Sequence, residues 1–414
     1  MRCRHLEEGG VAVDSDQKKT LHIDWYLLTG TLLMGIFGLV MIYSASYVQG
    51  YERYGNMTHF FDRQLQFLLL SIVLLLFFMF FPYRRFSKIM KLIVFGSFVL
   101  LILVLIPGVG VEVNHATRWI DIPGIGRLQP SEFVKLAAII YLAHVYSRKQ
   151  SYINQFWKGV APPLLIVGGF FFLILQQPDL GTAVSIIGVA VIIAFTSGAR
   201  LLHLGGLAGA VGLIIVYYAQ SEDYRMNRIT GFMTPFELEQ TQGFQVVQSY
   251  IAIAHGGLTG TGLGQSVQKL FYLPEAHTDF ILAIVSEELG ILGIGFVLSM
   301  MLMIISRGIY VGIKSRDTFG SLLAFGISFQ LAIQVVFNAG AVNGLLPITG
   351  IPFPFLSYGG SSLMVTFVMM GILINVSRRM QRERFEGFQD RKDEGVPQTV
   401  SHGHPESETV HNSN

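Results

Sequence analysis

Residues 273–280 place Glu275, His277 and Asp279 directly before the apolar run 281–305. Carboxylates and imidazoles are the side chains that most often transfer protons in enzymes. An ionisable group at the end of a membrane span costs free energy. Such a group therefore requires either a structural partner or a role in binding or catalysis. These three residues are therefore the first candidates for a functional site.

A second polar group combines cations with one acid. Glu132 and Lys135 begin another apolar run, and their spacing of three residues places both on one helix face. Arg118 and Arg127 precede them in the same loop. Guanidinium groups match phosphate oxygens and an ammonium adds a point charge, so the group suits an anionic ligand. The open alternative is a Glu132–Lys135 pair that only fixes helix packing.

Further polar positions carry weaker signals. Asp179 lies in a short turn between two apolar runs and is predicted to cap the following helix. Arg225 and Arg228 add two cations beyond the seventh apolar run, where either could equally anchor the chain at the membrane edge. Residues 347–362, which include Ser357, are rich in proline, glycine and hydroxyl groups. Irregular backbone at membrane depth must be covered by protein or line a cavity, and we expect a cavity here.

Glu287 and Glu288 lie inside the eighth apolar run. On a helix, Glu287 would be about 12 Å deeper than Asp279 and ~80° around the axis, which is too far for direct carboxylate pairing. The two acids are therefore predicted to pair with buried polar groups on other helices.

The composition indicates the class of protein in which these residues lie. The 414-residue chain is 51% hydrophobic and 14% charged, with a mean hydropathy of +0.52, which is too apolar for a soluble fold. The formal net charge of +2 does not indicate a nucleic-acid partner. A lone cysteine, Cys3, excludes an intramolecular disulfide. The chain is predicted to be an all-α, polytopic membrane protein.

About ten apolar runs are long enough to cross a bilayer as helices. With boundaries uncertain by a few residues, they cover residues 25–43, 65–81, 92–106, 133–146, 160–175, 180–197, 201–219, 280–305, 319–339 and 361–376. The first run is too long for a signal-peptide core, so we interpret it as a retained helix.

The basic residues set the orientation. Short loops rich in lysine and arginine alternate with long ones, and the positive-inside rule assigns the basic loops and both termini to the cytoplasm. We predict a cytoplasmic tail over 1–24, a transmembrane domain over 25–379 and a cytoplasmic tail over 380–414, disordered from Gly387. The largest outer loop, 220–278, joins helices 7 and 8.

Helical spacing from Phe244 to Ala254 predicts a helix in that loop, either in the membrane interface or packed on the protein. The glycine-rich residues 256–264 resemble a phosphate-binding loop, but no strand precedes them and no Lys-Ser/Thr follows. A nucleotide site is therefore not expected. The chain also lacks metal-ligand spacing, so no metal site is predicted.

Six ordered motifs together resemble the SEDS family of proteins for shape, elongation, division and sporulation. The resemblance extends from about residue 24 to residue 379. Residues 266–269 leading into 274–277 are more similar to the cell-division branch than to the elongation branch. Asp223 departs from the proline that commonly precedes Tyr-Arg. The motifs are Gln-Pro-Ser-Glu-x-x-Lys at 129–135, Gln-Pro-Asp-Leu-Gly-Thr at 177–182, Tyr-Arg-x-x-Arg at 224–228, Gly-Leu-Gly at 262–264, Leu-Pro-Glu-x-His-Thr-Asp-Phe at 273–280 and Pro-Phe-x-Ser-Tyr-Gly-Gly-Ser-Ser at 354–362.

The resemblance implies a peptidoglycan glycosyltransferase in the bacterial cytoplasmic membrane. Such an enzyme polymerises lipid II, an undecaprenyl-diphosphate-linked disaccharide pentapeptide, into β-1,4-linked glycan on the outer face. It implies a class B penicillin-binding protein as the cross-linking partner, other division proteins as further partners, surrounding membrane lipid, and a location at the division septum. No cofactor is required, although a divalent cation bridging Asp279 and the diphosphate is permitted by analogy.

The resemblance also suggests roles for the candidate residues. Asp279 would accept the proton of the attacking sugar hydroxyl. The diphosphate would be bound by a cationic group, and Glu132 would orient its lysine. Supporting roles fall to Glu275, His277 and Ser357, and a structural role is favoured for His277. The cationic group comprises Arg118, Arg127, Lys135 and Arg225.

Two rival hypotheses belong to other classes. A lipid II flippase would need polar groups that continue to the cytoplasmic side, and here the charges cluster outside. A noncatalytic scaffold would recruit division proteins through its loops and tails. Within the enzyme hypothesis, an elongation or sporulation polymerase is the alternative to a division polymerase.

Overall fold

A computed structural model of the protein describes residues 23–113, 116–124, 126–221 and 223–394. These residues form twelve α-helices and three short strands. The helices are α1 Trp25–Tyr54, α2 His59–Phe80, α3 Arg84–Leu105, α4 Pro130–Arg148, α5 Ala161–Leu175, α6 Leu180–Thr196, α7 Leu201–Gln220, α8 Asp223–Met233, α9 Phe244–Gly256, α10 Ile281–Lys314, α11 Thr318–Val342 and α12 Gly360–Glu394.

The predicted spans correspond to α1–α7 and α10–α12, which confirms a polytopic helical membrane protein. By length and composition, eight helices in the described part of the chain are able to cross a membrane. The eight do not include α4, which carries the charged Glu132 and Lys135, or α6, which has only 17 residues. Both are largely buried among other helices, so their surfaces need less apolar character.

Helix packing holds the start of α1 against α10 and α12. The long α12 packs along α2, while α10 packs between α11, α9 and α1. The buried Asp24 carboxylate accepts hydrogen bonds from Arg307 at 2.9 Å and Ser377 at 2.6 Å. The start of α1 is thereby fixed to both α10 and α12.

The outer loop after α3 folds into a small antiparallel sheet that the sequence analysis did not predict. It consists of β1 Gly110–Val113, β2 Ala116–Ile122 and β3 Gly126–Leu128, in that order. The β-branched residues of β2 and the Pro123-Gly124 turn were the available signals. Arg118 lies on β2 and Arg127 on β3, so the sheet fixes where both cations point.

The predicted loop helix is present as α9, and its packing decides between the two interpretations. Its buried residues include Val246, Ser249 and Ala252, and it contacts α10 and α11. The Ser249 hydroxyl donates to the Val342 carbonyl at the end of α11 at 2.8 Å. The helix is therefore packed on the protein through one face.

Helix α10 is interrupted at Gly290, where φ is 64° and ψ is −157°. The glycine-rich residues 257–264 fit into this break. The amides of Thr261 and Gly262 donate to the carbonyls of Glu287 and Glu288 at 2.9 and 3.0 Å, and Ile291 donates back to a loop carbonyl. The loop that resembled a phosphate cradle thus satisfies the backbone groups that the break exposes.

The two acids before the break are buried and paired, but apart from Ser44 of α1 their partners lie in loop 257–272 and not on other helices as predicted. Glu288 contacts the Lys269 ammonium at 2.6 Å and the Ser44 hydroxyl of α1. Glu287 accepts the Ser266 hydroxyl at 2.5 Å, together with two backbone amides of the same loop. Loop 257–272 is therefore attached to α10 through both side chains and backbone.

Replacement of Gly260 by alanine is expected to lower the free energy of unfolding by about 1–3 kcal/mol, because Gly260 has a left-handed φ of +80° and its Cβ would lie 2.1 Å from the Glu288 carbonyl oxygen. Thermal unfolding in detergent micelles measures the change. Gly295→Ala is the control, since Gly295 lies on α10 beyond the break and its Cβ would meet nothing within 4 Å. Equal unfolding midpoints for the two variants would contradict the prediction.

Helix α12 extends to Glu394 and so includes the first eight residues, 387–394, of the segment for which we predict disorder. Before this stretch, two ion pairs spaced four residues apart stabilise α12: Arg379–Glu383 and Arg382–Glu386, each at 2.7 Å. Residues 1–22 of the predicted N-terminal tail and 395–414 of the C-terminal tail lie outside the described residues.

Candidate active site

Asp279 lies two residues before α10, where three parts of the fold meet. The Asn338 amide of α11 donates to the Asp279 carbonyl and to the Ile351 carbonyl, both at 2.9 Å. The Ser357 hydroxyl donates to the Thr278 carbonyl at 2.6 Å and accepts the Phe353 amide. The segment that carries Asp279 is thus held by α11 and by loop 347–359, on which Ser357 lies.

The surroundings of Asp279 favour a base that is active near neutral pH. Burial, and to a lesser extent the nearby Glu275, raise the pKa of Asp279 to about 6, while Arg228 and Arg118 oppose the shift. The side chain retains some solvent contact. A carboxylate with such a pKa is ionised at pH 7 yet basic enough to accept a proton.

The side chain of Arg118, which lies on β2, is bound to the turn before α6. Its guanidinium donates to the carbonyls of Gln177 and Pro178 and lies 3.8 Å from the Asp179 carboxylate. Asp179 also accepts the Thr182 amide at 3.2 Å, which confirms the predicted helix cap. The ordering of this cation before any ligand binds would reduce the entropy cost of binding an anion.

The Gln129-Pro130-Ser131 motif joins the same network. The Gln129 amide group lies 3.3 Å from the Asp179 carboxylate, and the Ser131 hydroxyl lies 3.5 Å from it. The Gln129 backbone amide donates to the Ser361 hydroxyl at the start of α12. Three of the sequence motifs therefore meet around Asp179.

Gly350 separates Asp279 from Arg118. A Cβ at Gly350 would lie 3.6 Å from Asp279 Oδ2 and 3.9 Å from Arg118 Nη1. A small cavity opens at this point, and Asn338, Ile348 and Thr349 contribute to its lining. The predicted cavity beside loop 347–362 is confirmed, with a carboxylate and a guanidinium facing across a residue that has no side chain.

Arg228 and Arg225 differ in where they point. Arg228 donates to the Ile348 carbonyl at 3.4 Å and lowers the pKa of Asp279 against the larger effect of burial, so its charge acts on the site. Arg225, which was predicted to bind the diphosphate, instead stacks 3.6 Å over the Tyr218 ring and donates to Ser221 at 2.7 Å. The geometry thus favours Arg228 over Arg225 as the cation that acts on Asp279, and motif spacing does not show which helix face turns inward.

Lys135 and Glu132 form the predicted pair on α4. Their charged atoms are 2.8 Å apart and both side chains are only 2% exposed. Arg127 pairs with Asp121 at 3.6 Å across β2 and β3, and both side chains are more than half exposed. Lys135 and Arg127 therefore each form an ion pair with a neighbouring carboxylate. Arg118 and Arg228, in contrast, lie close enough to Asp279 to act on its charge.

His277 and Glu275 shape the segment before Asp279. The His277 ring packs against Phe60 and Tyr358, with centroids 4.7 and 5.5 Å away, and its carbonyl accepts the Tyr358 amide. Burial lowers the pKa of His277 to about 4, so the ring is neutral at pH 7. Glu275 has a left-handed φ of 54° and accepts the Thr278 hydroxyl at 2.9 Å. Both residues hold the turn.

The described residues contain no group of three or more His, Cys, Asp or Glu side chains arranged to hold a metal ion. Around the site, Asp179 is occupied by Arg118 and an amide, and Glu275 by Thr278. A divalent cation would therefore find Asp279 as its protein carboxylate and would take its other ligands from the substrate.

A family model described as "Cell cycle protein", which is named for FtsW, RodA and SpoVE, matches residues 24–382. The chain belongs to the FtsW/RodA/SpoVE family. It is 45% identical to stage V sporulation protein E of Bacillus subtilis over 363 residues, which cover 86% of this chain and 97% of the relative. It is 40% identical to the probable peptidoglycan glycosyltransferase FtsW of Geobacter metallireducens, with 88% and 97% covered.

Solved structures agree with the fold. A chain of a peptidoglycan synthase complex superimposes with a TM-score of 0.71 over 87% of this chain and 99% of that one, at 24% identity. The rod shape determining protein RodA of Thermus thermophilus gives a TM-score of 0.65 at 25% identity, with 88% and 99% covered. The FtsW/RodA/SpoVE architecture is thus shared over nearly the whole described chain.

Asn338, which binds the Asp279 and Ile351 carbonyls, was not among the predicted site residues. Its signal was an asparagine near the end of an apolar span, a position that carries a cost unless the amide is paired. We expect Asn338→Ala to lower kcat for glycan synthesis about 10- to 100-fold, because Asp279 and loop 347–359 would lose a shared donor and a misplacement near 1 Å has this cost.

The Asn338 prediction is checked by steady-state kinetics across pH. The pH at half-maximal rate should stay near that of the unsubstituted protein, since the substitution moves Asp279 without removing it. Asn343→Ala is the matched control, because Asn343 caps the same helix and is exposed. Unchanged kcat in Asn338→Ala would exclude a positioning role.

Proposed function

We propose that this protein is a peptidoglycan glycosyltransferase that polymerises lipid II on the outer face of the cytoplasmic membrane. The observation that carries the proposal is the carboxylate of Asp279, which lines a small cavity and lies across Gly350 from the Arg118 guanidinium, with Arg228 bound to Ile348 of the same loop. The names of the FtsW relatives and of the synthase complex describe the same chemistry in those proteins.

The proposed reaction is a single displacement. The 4-hydroxyl of an acceptor sugar attacks the anomeric carbon of the growing chain, and its proton passes to Asp279. The carbon–oxygen bond to the diphosphate breaks, and undecaprenyl diphosphate leaves with the electron pair. Arg118 and Arg228 stabilise the charge that develops on it. One displacement inverts an α-linked diphosphate into a β-1,4 linkage.

Lys135 and Glu132 have a narrower role in this proposal than the sequence suggested. Their pair is closed at 2.8 Å and buried, so it fixes α4 beneath the Gln129-Pro130-Ser131 turn. Through Gln129 and Ser131 that turn reaches Asp179, which in turn holds Arg118. The pair therefore supports the diphosphate site through the helix on which it lies.

A class B penicillin-binding protein is the proposed partner. The peptidoglycan synthase complex whose chain shares this fold coordinates polymerisation and cross-linking. We further propose cytoplasmic termini and a role in septal synthesis, where other division proteins would be bound. The 45% identity to a sporulation protein favours septa formed in sporulation as the second candidate.

The test uses purified full-length protein in liposomes with labelled lipid II, with and without a candidate partner. Glycan polymer and released undecaprenyl diphosphate are the expected products. Transbilayer movement of lipid II without polymer would instead identify a flippase. Rescue of septation by an Asp279→Asn chain in a host lacking its own polymerase would identify a scaffold. Either result would overturn the proposal.

A further inference from the structure

A stripe of amide side chains runs along the buried face of α11. Gln330, Gln334 and Asn338 follow one another at intervals of four residues, so they lie close to one line along the helix. All three are at most 3% exposed. An amide inside a membrane span costs free energy unless its donors and acceptors have partners. Each amide of the stripe therefore requires a hydrogen-bonded partner.

Several atoms of the stripe have no such partner in the described part of the chain. Both polar atoms of the Gln330 amide are buried and unpaired, and the residue is 0% exposed. The Oδ1 atom of Asn338 is also buried and unpaired, although the amide nitrogen of Asn338 binds two carbonyls. Buried polar groups in folded proteins are nearly always hydrogen-bonded, either to protein or to ordered water. These atoms are therefore candidate ligands of bound water.

The outer end of the stripe lies at the active-site cavity. Asn338 lines that cavity together with Asp279 and Gly350. Gln334 lies one turn further into the span, and Gln330 lies two turns further. At 1.5 Å per residue, the rise from Asn338 to Gln330 is about 12 Å. The stripe thus extends from the cavity well into the helix bundle.

The inner end of the stripe turns towards α4. A Cβ at Gly326, one turn before Gln330, would lie 2.6 Å from Ile139 of α4. A Cβ at Gly188 of α6 would lie 3.0 Å from Ile333 of α11. On a helix, Ile333 is rotated about 20° from Gly326 in one direction, and Gln330 is rotated about 40° in the other. Because Ile333 turns towards α6, Gln330 turns towards α4.

The register between α4 and α11 places Lys135 opposite Gln330. The His144 ring near the end of α4 lies 6.3 Å from the Phe319 ring at the start of α11. The Gly326 contact lies earlier on α4 and later on α11, so the two helices are antiparallel. One further turn in the same direction leads to Lys135 on α4 and to Gln330 on α11.

Lys135 has hydrogen-bond donors that the protein does not use. An ammonium has three donors, and in the described residues the Glu132 carboxylate is the only group that Lys135 binds, at 2.8 Å. A buried ion pair is stable only when further hydrogen bonds satisfy its remaining groups. Because the Gln330 amide is unpaired, Lys135 and Gln330 are not in direct contact. A water molecule between them would have the two or more polar partners that a buried water requires.

We propose that α4 and α11 enclose a column of bound water, which Gln330 and Lys135 hold at its inner end and Asn338 holds at the active-site cavity. Gln334 lies between these ends and would bind the same column. The water would complete the hydrogen bonds of the Lys135 ammonium and join the buried ion pair to the cavity. The ligand is water, so a failure of the proposed function would leave this site unaffected.

Gln330→Met tests the link between the amide and the ammonium, because methionine has a similar shape but no amide. In the otherwise unsubstituted protein, the midpoint of thermal unfolding in detergent micelles should fall by about 2–5 °C, since Lys135 loses a water that it binds. In a Glu132→Gln/Lys135→Met background, the same change should leave the midpoint unchanged or raise it. A higher midpoint in the otherwise unsubstituted protein, or an equal fall in both backgrounds, would overturn the proposal.

Ser328→Ala is the matched control. Ser328 is buried on the same helix, but its hydroxyl donates to the Ala324 carbonyl at 2.7 Å, so its loss should have the same effect in both backgrounds.

A structure of the unsubstituted protein, determined at a resolution that shows ordered water, is the second measurement. Density for water is expected between Gln330 and Lys135, and it should be absent in Gln330→Met. A space without water between these two side chains in the unsubstituted protein would overturn the proposal, even if Gln330→Met did not fold.

Discussion

Asp279→Asn is expected to reduce glycan polymerisation by about 10²- to 10⁴-fold, the contribution of a positioned general base. Asparagine keeps the shape of the side chain and its polar contacts but cannot accept a proton at neutral pH. Polymerisation of labelled lipid II by the purified variant measures the loss. Binding of undecaprenyl diphosphate should persist, because Arg118 and Arg228 remain in place.

The pH dependence of the same reaction provides a second measurement. With the pKa of Asp279 raised to about 6, the base is protonated below that pH and ionised above it. The rate should therefore rise with pH and level off above about pH 7. In Asp279→Asn the residual rate should lack this rise.

Thermal stability measured across pH distinguishes a variant that has lost catalysis from one that has lost its fold. Burial disfavours the ionised form of Asp279, whose pKa rises from the ordinary 3.8 to about 6. Protonation therefore stabilises the folded state, and this gain appears as pH falls from about 6 towards 4. Asp279→Asn should show no such gain and should not melt below the unsubstituted protein at pH 7. Exposed Glu239→Gln is the control for both measurements. Full polymerase activity in Asp279→Asn would exclude the residue as base.

Lys269→Met is expected to lower the free energy of unfolding by about 3–5 kcal/mol, the cost of leaving one member of a buried ion pair uncompensated. The Lys269 and Glu288 side chains are 1% and 0% exposed, with their charges 2.6 Å apart. Removal of the ammonium leaves the Glu288 carboxylate with the Ser44 hydroxyl and a weak amide contact from Ser266. Thermal unfolding in detergent micelles measures the effect.

Two comparisons make the Lys269 prediction specific. Lys269→Met combined with Glu288→Gln should recover much of the loss, because the unpaired charge is then absent. Arg382→Gln breaks an ion pair of similar length, 2.7 Å, but its partners are 75% and 54% exposed. We expect that change to cost less than about 0.5 kcal/mol. A loss in Lys269→Met no larger than in Arg382→Gln would show that burial does not control this pair.

Features that depend on local sequence were predictable. The apolar runs located the helices because a bilayer requires long, internally hydrogen-bonded segments. The Asp179 cap followed from its place between two runs, and the Glu132–Lys135 pair followed from helical spacing. In each case the interacting groups are within a few residues of one another, so the sequence contains the geometry.

Features that depend on tertiary packing were not predictable from the sequence. The sheet at 110–128 fixes Arg118 and Arg127 in different surroundings, although both had been grouped as one cationic cluster. The choice between Arg225 and Arg228 depended on how α8 turns relative to loop 347–359. Gly290 lay within a continuous apolar run, so its left-handed φ and the loop that fills the break had no sequence signal.

The break at Gly290 makes the part of α10 that follows Asp279 a short, separately oriented lever. Residues 281–289 form a rod of about 13 Å, with Asp279 just beyond one end and the Glu288–Lys269 contact at the other. A tilt of about 10° at the glycine would shift the carboxylate by about 2 Å while residues 291–314 stayed fixed in the bilayer. A protein that bound loop 257–272 could therefore shift the Asp279 carboxylate into or out of its reactive position without moving the helices that face lipid.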